Sequence, residues 1–144
     1  MNSITFILII TTLFSNKMVN DNSTVNIYVK ALTLSISELL SVNSDTIIVQ
    51  KEDFLPDNLP EVINKHSIKY LSEKEIEDYD GNKVTLKKIF PIQVENELVI
   101  IRISDFGYSP KSKLWISVGG SFFKFKYDCK EQQFTFFEKT DYGI

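Results

Sequence analysis

The feature that most constrains this chain is a change of hydrophobic period part-way along it. From Val25 to Val42 the apolar residues Val25, Val29, Leu32, Ile36 and Leu39 recur at three- and four-residue steps, with Asn26, Lys30, Thr33, Ser37 and Ser41 between them. That spacing predicts an amphipathic helix with one face in a core. From Val84 onward the period is two: Leu98–Asp105, 113–119, Phe122–Tyr127 and Gln133–Glu138 each place apolar residues at alternate positions and are separated by turn-forming stretches. Alternation with short connections predicts antiparallel strands. The region between is more broken. Thr46–Gln50 reads as a short β-branched strand, Pro60 is placed to open a helical turn through His66, and Ser72-Glu73-Lys74-Glu75 has the form of a capping box ahead of Ile76.

Taken together these patterns predict an α+β fold: an N-terminal amphipathic helix on one face of an antiparallel β-meander of four to six strands, with short helices between. The sets Val99, Ile101, Ile103; Leu114, Ile116, Val118; Phe123, Phe125, Tyr127; and Phe134, Phe136 are expected under the helix. The 144 residues suffice for one domain spanning 20–144, whose core buries about two-thirds of the unfolded surface.

Ahead of that domain, Ile4–Phe14 is a dense apolar run followed by Ser15-Asn16-Lys17. It is shorter than the ~20 residues a bilayer crossing needs and has the length of a signal-peptide core, so residues 1–19 are read as an export signal. Export to the periplasm or the medium is the expected localisation, with membrane contact only through this segment if it stays uncleaved. A lone Cys129 in an exported domain leaves no internal disulfide, so stability falls to the core.

Composition removes several functions. A formal charge of −3 with interspersed acids and lysines offers no basic field for nucleic acid. His66 is the single histidine, with neither a second imidazole nor a paired cysteine to complete a zinc site, and Cys129 or a serine has no second base to activate it. The acidic run Glu73, Glu75, Glu77, Asp78 and Asp80 lacks the glycine and glutamate spacing of a calcium loop. Gly119-Gly120 lacks the lysine and following helix of a phosphate loop and reads as a hairpin or bulge. Asn22-Ser23-Thr24 and Asp45-Thr46-Ile47 have the form of glycan acceptors, as many three-residue strings do. No catalytic residue, metal or cofactor is expected.

The informative surface is the other side of the meander, which carries Ile100, Arg102, Trp115, Phe122, Lys124, Lys126 and Phe137. Exposed Trp, Phe and Arg are residue types of binding hot spots, and Arg102, the single arginine, is placed to approach Trp115 as a cation–π pair. Arg102, Trp115, Phe122 and Lys124 are therefore the candidate partner-binding residues, unless Phe90–Val94 or Phe54-Leu55 covers that face. The alternative is a small-molecule pocket between helix and curved sheet, lined by Tyr28, Leu32 and Phe125.

Ile103-Ser104-Asp105-Phe106-Gly107-Tyr108-Ser109 ahead of a strand, with an aromatic hairpin closing the chain, resembles small, uncharacterised exported proteins of Bacteroidetes-type bacteria. Glu131-Gln132-Gln133-Phe134 stands where such proteins often carry a Gly-Lys-Trp turn. The layout is also similar to cystatin-like and NTF2-like folds, in which one helix lies in a curved antiparallel sheet. The expected function is a non-enzymatic exported domain that binds a protein partner, as an inhibitor, an immunity-type protein or an envelope component would. The ligand-binding module comes second and a carboxylate-dependent hydrolase third.

Overall fold

The computed structural model describes residues 21–37, 46–79 and 84–143. The expected export signal, the far end of the first helical pattern at Leu39–Val42, and Asp80-Gly81-Asn82, whose Asp, Gly and Asn predict a turn, fall outside these residues. Two helices and eight strands are present among them: α1 (Asp21–Ser37), β1 (Thr46–Gln50), β2 (Val62–Ile63), β3 (His66–Leu71), α2 (Glu73–Glu77), β4 (Val84–Ile89), β5 (Gln93–Glu95), β6 (Leu98–Ser109), β7 (Leu114–Asp128) and β8 (Gln133–Tyr142). The sheet runs β2-β3-β1-β4-β6-β7-β8, with β5 also paired to β6.

This overturns the expected helix on an antiparallel meander. The molecule is sheet-dominated, and its sheet is mixed and curls into a half-barrel. β1 is central and parallel to both neighbours, with Ile47 beside Ile68 and Ile48 beside Leu86. A strand buried on both faces needs no alternation, and Ile47-Ile48-Val49 is such a continuous apolar run. Parallel strands require crossovers. The segment from Lys51 to Lys65 crosses one face of the sheet and buries Leu55 there, while α2 crosses the other and buries Ile76.

Pro60–His66 is not helical. Asn64 and Lys65 both have positive φ (49° and 71°), making a two-residue hairpin turn between β2 and β3, so His66 opens a strand instead of ending a helix. Asn96 and Glu97 repeat that geometry between β5 and β6 (49° and 65°), where a turn was expected. The capping box forms as its residues suggest: Ser72 Oγ accepts from the Glu75 amide, and Glu75 accepts from the Ser72 amide at 2.8 Å.

Gly119-Gly120 does not turn the chain either. β7 runs unbroken for 15 residues, and the pair sits at a bulge: Asp105 faces Gly119 and Phe106 faces Ser117, leaving Val118 extra. Gly119 has φ +137°, which side chains rarely adopt, and a Cβ on Gly120 would lie 2.7 Å from both Ser104 Cα and the Tyr142 hydroxyl.

The bulge marks where the core changes side. On one face α1 packs Ile27, Tyr28, Ala31, Leu32 and Ile36 against Ile89, Ile101, Ile103, Phe123 and Phe125. The buried helical stripe is therefore turned from the one expected, and Val29 is only half-buried. Beyond the bulge the buried residues lie on the opposite face, where Ile48, Ile76, Val84, Leu86 and Tyr108 gather with Phe106 and Trp115. Leu114, Ile116 and Val118, expected under the helix, are exposed for this reason, and Tyr127 and Phe136 at the far end are exposed too. Beside the bulge, Lys87 and Asp105 face each other across β4 and β6 with Nζ to Oδ1 at 2.8 Å.

Candidate functional site

The anticipated surface divides into separate neighbourhoods. Arg102 and Phe122 are register partners on β6 and β7, and Lys124 follows opposite Ile100. The Arg102 guanidinium lies 3.5 Å from the Phe90 ring centroid, so its cation–π partner is Phe90 and not Trp115. Phe90 comes from the segment named as a possible cover for this face. Lys124 pairs with Glu138 at 2.7 Å, and Phe122 packs on Tyr142 with ring centroids 5.0 Å apart. Trp115 stands six positions further along the sheet. It packs at 4.7 Å on Tyr108 and edge-on to Phe106 at 6.4 Å. Burial, together with the carboxylates of Glu77 and Asp78, holds the Tyr108 hydroxyl above the usual tyrosine range.

None of the cavities described here among the described residues is lined by Tyr28, Leu32 and Phe125 together. All three lie in the close-packed core beneath α1, where burial pushes the Tyr28 hydroxyl up against the opposing effect of its hydrogen bond to the Ile92 backbone. Phe125 also lines a groove of about 390 Å³ between α1 and β8. Val29 and Leu34 form its helix side, and Phe134 and Phe136 its strand side. Lys30 Nζ donates to the Phe134 carbonyl at 2.7 Å and ties the helix to the strand at this point.

β8 pairs with β7 on one side. Among the described residues its outer edge faces no other strand. An open edge offers backbone N–H and C=O groups to another chain, and proteins guard such edges with charge and bulges. Here the charges stand in the second half, where Glu138 is tied to Lys124 and Asp141 to Lys139 at 2.7 Å each. Lys139 and the Ser121 hydroxyl hold the Asp141 carboxyl below its usual range. Gln133–Phe137 carries no charge. A bulge makes Phe137 an extra residue between Glu138 and Phe136, and it is 61% exposed beside Phe136 at 48%. Alternating patterning assigned β8 to the sheet but could not place it at the end of the order of described strands.

Two further hollows adjoin the sheet. One of about 500 Å³ lies over β3 and is lined by Lys51, Asp57, Glu61 and Tyr70; the Tyr70 hydroxyl is engaged, donating to the Pro60 carbonyl at 2.9 Å. Burial, reinforced by Glu61, pushes that hydroxyl up to about 12. The other is a cleft of about 220 Å³ over the second core, lined by Gln50, Glu73, Lys88, Phe106 and Trp115. No group of three His, Cys, Asp or Glu side chains placed to hold a metal occurs among the described residues, and none of their helices is long and apolar enough to cross a membrane. Cys129 is exposed in the turn between β7 and β8. No known protein family, curated protein or solved structure matches this chain.

Proposed function

We propose that the chain is a protein-binding domain that receives an extended apolar segment of a partner along the first half of β8, in the groove beside α1. The observation that carries this reading is the coincidence of three properties at Gln133–Phe137: a strand edge that no other described strand pairs with, no charge, and two exposed phenylalanines next to an apolar groove. Strand addition draws affinity from main-chain hydrogen bonds and specificity from pockets that take alternate side chains. The groove between Val29, Leu34, Phe134 and Phe136 is such a pocket, and Lys30, bonded to the Phe134 carbonyl, fixes its helix wall to its strand wall. This surface replaces the Arg102, Trp115, Phe122 and Lys124 patch, whose members are engaged with Phe90, Tyr108, Tyr142 and Glu138. The N-terminal apolar run remains the basis for proposing that the partner is met outside the cytoplasm.

Selection of a displayed library of extended peptides on the purified chain tests this. Peptides with apolar residues at alternate positions are expected to be enriched, and Phe136→Glu is expected to weaken the enriched peptides at least tenfold, because a carboxylate would enter an apolar groove. Unchanged affinity in Phe136→Glu, or no enrichment, would overturn the reading.

A further inference from the structure

The far end of the β6–β7 hairpin leaves a row of apolar side chains in water. β8 stops at Tyr142, opposite Gly120, so β7 has residues 114–119 beyond it, paired to β6 on one side and to no described strand on the other. On the face turned away from Trp115, Leu114 is 52%, Ile116 49% and Val118 55% exposed, because the bulge has moved the core to the Trp115 side. Aliphatic side chains lined up in solvent mark an interaction surface. The charges around them are one-sided. Residues 106–127 contain no Asp or Glu in a chain that has 19 of them, and the turn between β6 and β7 carries Lys111 and Lys113, both exposed. Asp105, just before this stretch, is paired with Lys87. Glu77 and Asp78, whose charges reach Tyr108, belong to α2 and its cap, on the other face of the sheet.

We infer that this hairpin end docks on the surface of an anionic lipid bilayer, with Leu114, Ile116 and Val118 entering the headgroup region and Lys111 and Lys113 among the lipid phosphates. Two observations favour lipid over a protein. The first is size: the row is three half-exposed side chains about 14 Å long, far short of the ~800 Å² that each partner of a stable protein interface buries. A bilayer needs no matching shape. The second is charge: a lysine-only end on a chain of formal charge −3 complements a negative leaflet, which attracts each lysine while the apolar side chains settle beneath the headgroups. At that depth water still reaches the unpaired edge of residues 114–119, so no backbone group is carried into hydrocarbon. The surface is separate from the β8 groove, which lies at the other end of β7 beside Phe125.

Cys129 supplies an internal control, being the single cysteine and exposed in the turn at the opposite end of β7. The full chain is labelled with an environment-sensitive fluorophore, either at Cys129 or in the variant Cys129→Ser with Val118→Cys. It is then titrated with vesicles of phosphatidylcholine alone or of phosphatidylcholine and phosphatidylglycerol in equal parts. The label at position 118 is expected to shift to the blue on the anionic vesicles, with at least tenfold weaker binding to phosphatidylcholine alone, while the label at Cys129 stays unshifted. A label at Ile116→Cys should behave like that at 118. Insertion of the N-terminal apolar run alone would leave every label in water. Lys111→Glu with Lys113→Glu is expected to weaken binding at least tenfold, and ~0.5 M salt at least fivefold, through screening. No shift at 116 and 118, an equal shift at Cys129, or equal binding by the double glutamate variant would overturn the proposal. So would a shift that appears without lipid as protein concentration rises, the mark of a second copy on this surface.

Discussion

The Lys87–Asp105 pair offers a test in which the two halves of one ion pair should behave differently. The Lys87 side chain is 5% exposed and that of Asp105 is 37% exposed, with 2.8 Å between Nζ and Oδ1. Across that distance the attraction is about 6 kcal/mol at an effective dielectric of ~20, of which desolvating the ammonium cancels a large part. Asp105→Ala strands a buried ammonium, and the expected loss is about 3 kcal/mol, the lower end for a broken buried pair because water already reaches the carboxylate. Lys87→Met keeps the apolar stem and leaves a carboxylate that solvent can hydrate, at a cost of about 1 kcal/mol. For a chain of this length ~3 °C of Tm accompanies each kcal/mol, so thermal melts followed by circular dichroism should fall by about 9 °C and about 3 °C respectively. The double variant Lys87→Met with Asp105→Leu is expected to melt within ~3 °C of the parent, since an apolar pair replaces a buried ionic one at little cost. Equal losses for the two single variants, or a double variant worse than either, would refute the reasoning.

Gly120→Ala is expected to destabilise by about 3 kcal/mol or abolish folding, as its methyl would meet the Ile103 carbonyl, Ser104 Cα and the Tyr142 hydroxyl at once; a melt unchanged from the parent would contradict the close approach of β6 and β8 to β7. Tyr70 should ionise last in an alkaline spectrophotometric titration, near 12, and Tyr70→Phe should remove that step. Because its folded value lies above the unfolded one of 10.0, the stability linked to it is complete below pH 10 and falls as pH rises from 10 to about 12, a decline that Tyr70→Phe should lessen in denaturant melts.

The strand-rich second half of the chain was legible because Val99, Ile101 and Ile103, and Phe123 and Phe125, stand at alternate positions, the period that belongs to strands. Ser72 and Glu75 announced α2 for an equally local reason, a hydrogen-bond exchange three residues apart. The mixed sheet was not legible. Parallel pairing of β1 depends on β3 and β4, whose partner residues are 21 and 38 positions away along the chain, and Ile47-Ile48-Val49 has no period to read. β2 and β3 were missed because Asn64-Lys65 makes a positive-φ turn without the glycine that usually signals one. Gly119-Gly120 was expected to be a hairpin or a bulge, and only the register of Asp105 and Phe106 separates the two. The same bulge dispersed the candidate site: Arg102 and Trp115 do share a sheet face by parity, but six residues of β7 and a change of core lie between Trp115 and its supposed neighbourhood. The outer edge of β8 has no local pattern either, since it is defined by the lack of a described strand beside it in space.

Amide hydrogen exchange on the chain with and without a selected peptide tests strand addition most directly. In the free protein, alternate amides of Gln133–Tyr142, those bonded to β7, should be protected while the intervening outward amides exchange quickly. Peptide binding should slow the outward amides of Gln133–Phe137 at least tenfold and leave Gln50, Lys88 and Trp115 unchanged. Protection that appears instead around Trp115 or Arg102, with the outward amides of β8 still exchanging freely, would contradict the account.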